Sequence, residues 1–333
     1  MSHVTSNPNI LIVGSFVMDQ IVSTRIFPQE GETVLGINFQ KAPGGKGANQ
    51  AVQIARLGAN VTMVGKLGRD ANGQELLAQC EAAGIDIGHV AYDESAASGC
   101  AVIILEETSA GGSQNRIIVV PGTNMLIQRG DVAFLEKSIR QYDMVILQLE
   151  IPMSINEYVA QLAYRNNVPV MLNPAPSAPL RDEFLSHLTY LSPNEHEAAD
   201  LTGIAIRRTG ADVEMDDVER AAQALLARGV KNVLITLGAS GAVLCNNAGL
   251  FYQTGIKNVS AVDPTAAGDS FIGAFCFSVC RGWDWNCALR YANQAAAITV
   301  SRLGAIPSLP TFEEVTTALA SGGCPAPGVQ TQQ

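Results

Sequence analysis

The sequence predicts an α/β fold: a mostly parallel central sheet with helices on both faces, and a second, smaller β-sheet. Three observations carry this expectation. Short β-branched runs alternate with amphipathic stretches along most of the chain, and that alternation marks a parallel sheet clothed on both sides. Four strand-like segments, at 17–26, 33–41, 100–105 and 116–120, break the alternation, with no helix between near neighbours. The chain is 333 residues long, enough to bury a sizeable core.

Taken in order, residues 1–9 read as a loose tail without an apolar signal core, and the first strand as 10–13. The segments at 17–26 and 33–41 begin the second sheet. A helical pattern then runs from the glycine cluster at 44–47 to Leu57, with Gly58 as its stop. A strand at 61–64 and a helix at 75–83, closed by Gly84, follow. Segments 100–105 and 116–120 complete the second sheet, with 109–113 as a hairpin tip. Further strands are read at 144–147, 168–172 and 233–236, and a helix at 218–228 before Gly229. Another helix starts at about Gly268, and 321–333, rich in Gly, Pro and Gln, reads as a second tail. Residues 10–320 are expected to form one domain. Ligands of such sheets bind beyond the carboxyl ends of the strands, so the loops after Val13, Leu147, Leu172 and Thr236 are the expected site.

Composition excludes several partners. The net charge of −10 and a pI near 4.9 argue against nucleic acid. No apolar run approaches the roughly 18 residues of a membrane span. Seven cysteines, an odd number without a C-x-x-C spacing, point to free thiols in a reducing cytoplasm. Cys276 and Cys280, one helical turn apart, read as small core residues. The four histidines show no metal-ligand spacing.

Two segments carry chemistry. Val262-Asp263-Pro264-Thr265-Ala266-Ala267-Gly268-Asp269-Ser270-Phe271 combines small residues, a helix start and a carboxylate. Exposed amides and the positive end of a helix dipole make an anion cradle. A carboxylate beside it can take a proton, as phosphoryl transfer to an alcohol requires. On this segment alone, Asp269 reads equally as an ordinary first-turn acid. Pro43-Gly44-Gly45-Lys46-Gly47-Ala48-Asn49-Gln50-Ala51 is not a Walker A loop, because Gly47 follows Lys46 where Ser or Thr is needed. The loop after the first strand lacks G-x-G-x-x-G, which removes a dinucleotide fingerprint and with it a dehydrogenase.

Together the two segments resemble the ribokinase family of carbohydrate kinases, the PfkB-type sugar kinases. Gln148-Leu149-Glu150, Asn173-Pro174-Ala175-Pro176, Pro193-Asn194-Glu195-His196-Glu197, Ile235-Thr236-Leu237-Gly238 and Gly304-Ala305-Ile306-Pro307-Ser308 extend the resemblance in family order from about residue 10 to 310. It implies a ribokinase-like fold whose second sheet, from about 17–42 and 98–121, is a lid over a sugar and the contact of a homodimer. It implies Asp269 as catalytic base, with the amides of Ala266, Ala267 and Gly268 as anion hole. Asp19, Gly45, Lys46, Asn49 and Glu150 match sugar-holding positions. Asn194, Thr236, Gly238, Ala239, Ser240, Gly241 and Asn293 match the ATP pocket. Glu197 matches the Mg2+ element, acting directly or through water; without the resemblance, Asn194 and Glu197 read as a capping box. Asp263, Thr265, Thr299, Arg302, Gly304 and Ser308 match a K+ site, mostly through main-chain carbonyls.

The chain departs from the family in two places. Val17 stands where ribokinases carry Asn, which removes a polar partner near the sugar and makes 2-deoxyribose a candidate beside ribose. Pro264 replaces the usual Thr and removes one N–H from the cation loop. The expected activity is ATP-dependent phosphorylation of the primary 5-hydroxyl of a pentose, with D-ribose favoured. Another sugar or nucleoside kinase of this fold, and a catalytically silent sugar- or nucleotide-binding regulator, are the alternatives.

Overall fold

In strand β1 (Asn9–Val13), Ile10 and Ile12 face one layer, Leu11 and Val13 the other, and all four are fully buried. A strand covered on both sides has no polar face to present, which explains the unbroken apolar run. The computed structural model, which describes residues 7–107, 113–210 and 212–321, places β1 in a nine-stranded sheet whose inner strands share this burial and whose two edge strands are partly exposed. Its other members are β4 (Asn60–Gly68), β5 (Asp86–Asp93), β8 (Met144–Gln148), β9 (Val170–Asn173), β10 (Tyr190–Leu191), β13 (Asn232–Thr236), β14 (Gly241–Asn246) and β15 (Gly249–Thr254). The order is β15-β14-β13-β10-β9-β8-β1-β4-β5, parallel from β5 to β13 and antiparallel across the last two pairs.

A core cluster fills each face. One lies under α1 (Lys46–Arg56), α2 (Ala71–Ala82), α8 (Ala267–Cys280), α9 (Trp285–Val300) and α10 (Phe312–Ser321). The other lies under α4 (Met153–Arg165), α6 (Glu195–Thr202), α7 (Met215–Ala227) and the short α3 (Leu135–Ser138) and α5 (Asp182–Ser186). The second sheet, four strands in the order β3-β2-β6-β7, is formed by β2 (Val17–Thr24), β3 (Gly36–Gly44), β6 (Gly99–Glu107) and β7 (Ser113–Val120). β2 follows β1 after only Gly14, Ser15 and Phe16, so the lid is anchored directly to the central strand. The side chain of Asn124 fixes that link: it accepts from the Phe16 N–H (2.9 Å) and donates to the Phe16 carbonyl (2.7 Å). A two-stranded ribbon, β11 (Arg208–Thr209) and β12 (Asp212–Val213), stands apart from both sheets.

Several boundaries differ from the sequence expectation. β9 begins at Val170 rather than 168, because Pro169 has no N–H for the ladder and contributes only its carbonyl, to Val145. β2 ends at Thr24, whose hydroxyl donates to the Ile26 carbonyl and bends the chain. β3 starts at Gly36, not 33. Asn9 belongs to β1 rather than to a tail, and Ser321 closes α10. The expected hairpin tip at 109–113 lies outside the described residues except for Ser113, which opens β7. Cys324 also lies outside them; the six described cysteines form no disulfide with one another. Burial drives the Cys276 thiol well above its usual range and raises Cys80 and Cys280 to about 12, as expected of core thiols.

Candidate active site

The chain leaves β1 toward β4 on one side and later returns as β8 on the other, so the crevice beyond β1 and β8 is a topological switch point. Ser15 enters it from the loop after β1 and Glu150 from the loop after β8. The Ser15 hydroxyl and the Lys46 N–H (3.1 Å) both donate to Glu150 Oε2. Two glycines allow helix α1 to start against this turn. Gly45 has φ 94°, and a Cβ there would lie 2.6 Å from the Val17 nitrogen; a Cβ on Gly47 would lie 2.5 Å from the Ser15 nitrogen.

The second glycine segment comes to the same place. α8 starts at Ala267, one residue earlier than expected, after Ala266 in the left-handed region (φ 59°). Asp269, in its first turn, is buried. Its Oδ2 accepts from Asn49 Nδ2 (2.8 Å) and its Oδ1 from Gln50 Nε2 (2.9 Å). The Ala267 N–H donates to the Pro264 carbonyl (3.2 Å). Among the described residues, no backbone partner is found for the Ala266 and Gly268 N–H groups. A Cβ on Gly268 would meet nothing within 4 Å, so the helix N-terminus opens onto free space.

That space is two cavities meeting at Gly268. A polar one of about 210 Å³ is lined by Lys46, Asn173, Ser192, Asn194, Glu197 and Asp269 among others. A larger, mainly apolar one of about 500 Å³ is lined by Gly238, Ala239, Gly241, Ile256, Val259, Phe271, Asn293 and Val300 among others. Thr236, Pro264 and Gly268 line both. Asn293 Nδ2 is held by the carbonyls of Gln253 and Thr254 (3.2 Å each). The Ser240 carbonyl accepts from the Tyr252 hydroxyl (2.9 Å), which ties the turn after β13 to β15.

Charge is concentrated around Lys46. Burial would lower its pKa, but Asp269, Glu150 and Glu197 together outweigh that and hold the ammonium above its usual range. Asp19, on β2, is pushed up to about 6, first by burial and then by Glu150 and Asp263. Glu197 is also raised, by burial above all, with Asp200 and Asp269 adding to it, against the Asn194 N–H and Lys46. The capping box is present: Asn194 Oδ1 accepts from the Glu197 N–H (2.9 Å), and Glu197 Oε2 from the Asn194 N–H (2.8 Å).

Asn194 and Glu197 suit Mg2+ as an ion that takes few protein ligands and keeps its waters, since both line the polar cavity and the cap uses only Oε2 of Glu197. No group of three or more His, Cys, Asp or Glu forms a metal cluster among the described residues. Of the six residues matched to K+, Asp263 joins the two loops, accepting from the N–H groups of Thr265 and Gly304 (2.9 Å each). The Ser308 hydroxyl donates to the Ala305 carbonyl and Thr299 Oγ1 to Ser270 Oγ, while Arg302 pairs with Glu314. The side chains of Asp263, Thr299, Arg302 and Ser308 are thus engaged within the protein, which leaves main-chain carbonyls as the main oxygen donors for such an ion.

A model of pfkB family carbohydrate kinases matches residues 7–312. The chain belongs to this family. Over 92% of its length it is 40% identical to the ribokinase of Schizosaccharomyces pombe, 96% of which is covered. Over a similar span it is 30% identical to a deoxyribokinase of Salmonella typhi, with 97% of that protein covered. The structure of an Arabidopsis thaliana ribokinase complexed with ribose and ATP superimposes with a TM-score of 0.85 at 33% identity, covering 94% of this chain and 99% of that one. The protein is a carbohydrate kinase with the ribokinase-like architecture: central sheet, flanking helices and four-stranded lid.

The pfkB signature residues thus converge in space, but three of their supports had no role assigned from sequence. Ser15 bridges Glu150 to the start of α1, Gln50 holds Asp269, and Gln148 holds Gln50. The available signal was a polar stripe, Asn49, Gln50 and Gln53, on a helix face that otherwise carries Ala and Ile.

Asp19 supplies a pH test. Its folded-state pKa of about 6 lies above the 3.8 of the free group, so its ionisation costs stability as pH rises from about 4 through 6. Asp19→Asn should therefore be more stable than the parent at pH 7.5, by on the order of 1 kcal/mol. Urea unfolding across pH should show the gap closing toward pH 4; a gap independent of pH would contradict the assignment.

Proposed function

We propose that the protein transfers the γ-phosphoryl group of ATP to the primary 5-hydroxyl of D-ribose, giving ribose 5-phosphate. The observation that carries this reading is the position of Asp269. It is a buried carboxylate in the first turn of α8, where a polar cavity of sugar-phosphate size and an apolar cavity of nucleoside size meet.

A sugar hydroxyl is a weak nucleophile, so a base must take its proton as it attacks. Asp269 accepts that proton as the bond from the sugar oxygen to the γ-phosphorus forms and the bond to the β-phosphate oxygen breaks, releasing ADP. The amides of Ala266 and Gly268 face the charge that develops, joined by that of Ala267 once it leaves the Pro264 carbonyl. Asp19, Gly45, Lys46, Asn49 and Glu150 hold the sugar. Asn49 Oδ1, buried without a partner among the described residues, supports this, because a buried acceptor needs a donor such as a sugar hydroxyl. Asn194, Thr236, Gly238, Ala239, Ser240, Gly241 and Asn293 hold the nucleotide. When bound, Mg2+ neutralises phosphate charge, and Glu197 with Asn194 would hold it. The carbonyls of the loop carrying Asp263, Thr265, Thr299, Arg302, Gly304 and Ser308 would hold K+.

A second reading, 2-deoxyribose as substrate, rests on Val17. It is buried at the start of β2, next to the Gly44–Gly45 turn, and offers the sugar no hydrogen bond. The lid is the natural contact of a homodimer. Ile37 and Phe39 on β3 and residues 117–120 on β7 expose apolar side chains, a concentration that marks association surfaces. Buried free thiols favour a reducing, cytoplasmic setting.

Asp269→Asn should lower kcat by about 10³-fold in a coupled ADP-release assay, with KM for sugar and ATP little changed; near-normal turnover would remove Asp269 as the base and revive the silent-regulator alternative. Val17→Asn should raise the kcat/KM ratio of ribose to 2-deoxyribose, by about 10-fold for one recovered hydrogen bond. An unchanged ratio would mean that Val17 does not read that hydroxyl. Phe39→Glu should shift the protein toward the monomer in sedimentation velocity, and an unaltered dimer would place the contact elsewhere.

A further inference from the structure

We propose that Gln50, locked in orientation by Gln148, is the positioning residue of the Asp269 carboxylate, an inference that rests on reading Asp269 as the base. Both glutamines are fully buried, and neither lines either cavity. Gln148 Nε2 donates to Gln50 Oε1 (2.7 Å). That bond occupies the acceptor end of the Gln50 amide and leaves its two N–H groups for the other side. There Gln50 Nε2 meets Asp269 Oδ1 at 2.9 Å and Asn173 Oδ1 at 3.4 Å. Turning the Gln50 amide over would set its oxygen against a carboxylate and give up these bonds together. Both ends of the Gln50 amide are therefore matched, its oxygen by Gln148 and its nitrogen by Asp269.

Gln148 is placed by its position at the end of β8, where its main-chain carbonyl accepts from the Asn156 amide (2.8 Å). Its side-chain Oε1 is buried without a partner among the described residues and packs so close to Gly14 that a Cβ there would clash with it. A methionine at position 50 would fill the same core volume without burying an amide, and burying an amide is costly unless it is bonded. What the amide adds is a donor aimed at one oxygen of Asp269, while Asn49 holds the other. The carboxylate is left with one rotamer, its remaining lone pairs turned to the polar cavity. Gln50 lines neither cavity; it acts through Asp269, which lines the polar one.

The test is Gln50→Met, with Gln148→Met and the double variant, compared by steady-state kinetics, sugar and ATP binding, and thermal melting. Loss of one hydrogen bond to a charged group predicts a fall in kcat of about 10- to 100-fold, with KM for both substrates within about threefold. Gln148→Met should give a smaller fall in kcat, and the double variant should be no worse than Gln50→Met alone, because Gln148 acts only through Gln50. Gln50→Asn, whose amide keeps donor and acceptor, should recover part of the loss. In an Asp269→Asn background, Gln50→Met should cause no further loss. Unchanged kcat in a folded Gln50→Met protein, a loss confined to KM, or additive effects of the two glutamine variants would overturn the proposal. Should Gln50→Met fail to fold, Gln148→Met with normal melting and unaltered kcat would overturn it as well. Failure of the base reading itself gives a different result: an active Asp269→Asn enzyme.

Discussion

Two hydrogen bonds to one buried carboxylate join parts of the chain 219 and 220 positions apart. Asn49 and Gln50 of α1 hold the two oxygens of Asp269, and one turn further along Gln53 accepts from the hydroxyl of Ser270 (2.8 Å). The polar stripe of α1 is matched in register by the first turn of α8. The backbones approach closely enough that a Cβ on Gly273 would lie 2.9 Å from Gln53 Cγ. The geometry of the whole site follows from this helix pair. α1 begins at Lys46, beside Glu150, and α8 begins at the open amides, so docking the two helices brings the Asp269 carboxylate, the Lys46 ammonium and those amides together at once.

The central sheet determines where that pair sits. Its order reverses between β1 and β8, and the loops leaving those strands supply Ser15 and Glu150. Ser15 also accepts from the Gly47 N–H (3.3 Å) and gives its carbonyl to the Ala48 N–H (3.0 Å), so the turn that starts the lid caps the helix that carries Lys46. Asp19 is raised first by its burial and then by the neighbouring carboxylates of Glu150 and Asp263. Lys46 lies among the carboxylates at the centre. Its raised pKa records how strongly they compensate for its burial.

Much of the fold was legible because strands buried on both faces must be apolar throughout. The segments at 10–13, 61–64, 144–147 and 233–236 all lie within observed strands. Boundaries were less legible where backbone chemistry overrides propensity, as at Pro169, or where a side chain bends the chain, as Thr24 does. The β14–β15 hairpin went unread because its strands belong to the antiparallel end of the sheet and have no helix between them. Gathering Asp269, Asn49, Lys46, Glu150 and Glu197 in one place was legible only through the ordered set of motifs; no single segment showed it. Gln50 and Gln148 were not legible as supports. A polar residue in a helix or at a strand end normally faces water, and only coordinates show that these two face each other.

The inner side of α1 also bears on the order in which the protein can be completed during synthesis. Its polar groups find partners mainly at the far end of the chain: Asp269 and Ser270, the Pro310 carbonyl for Gln53, and the Ile306 and Leu309 carbonyls for Arg56. A ribosome delivers the helix long before those partners exist. Until residues 269–310 emerge, an early-made helix carries unmatched amides and a guanidinium that only late-made segments can satisfy. Contacts across such a separation form slowly because loop closure must precede them, so water covers this surface in the nascent chain, and the Asp269 carboxylate meets its two amide donors only late in folding.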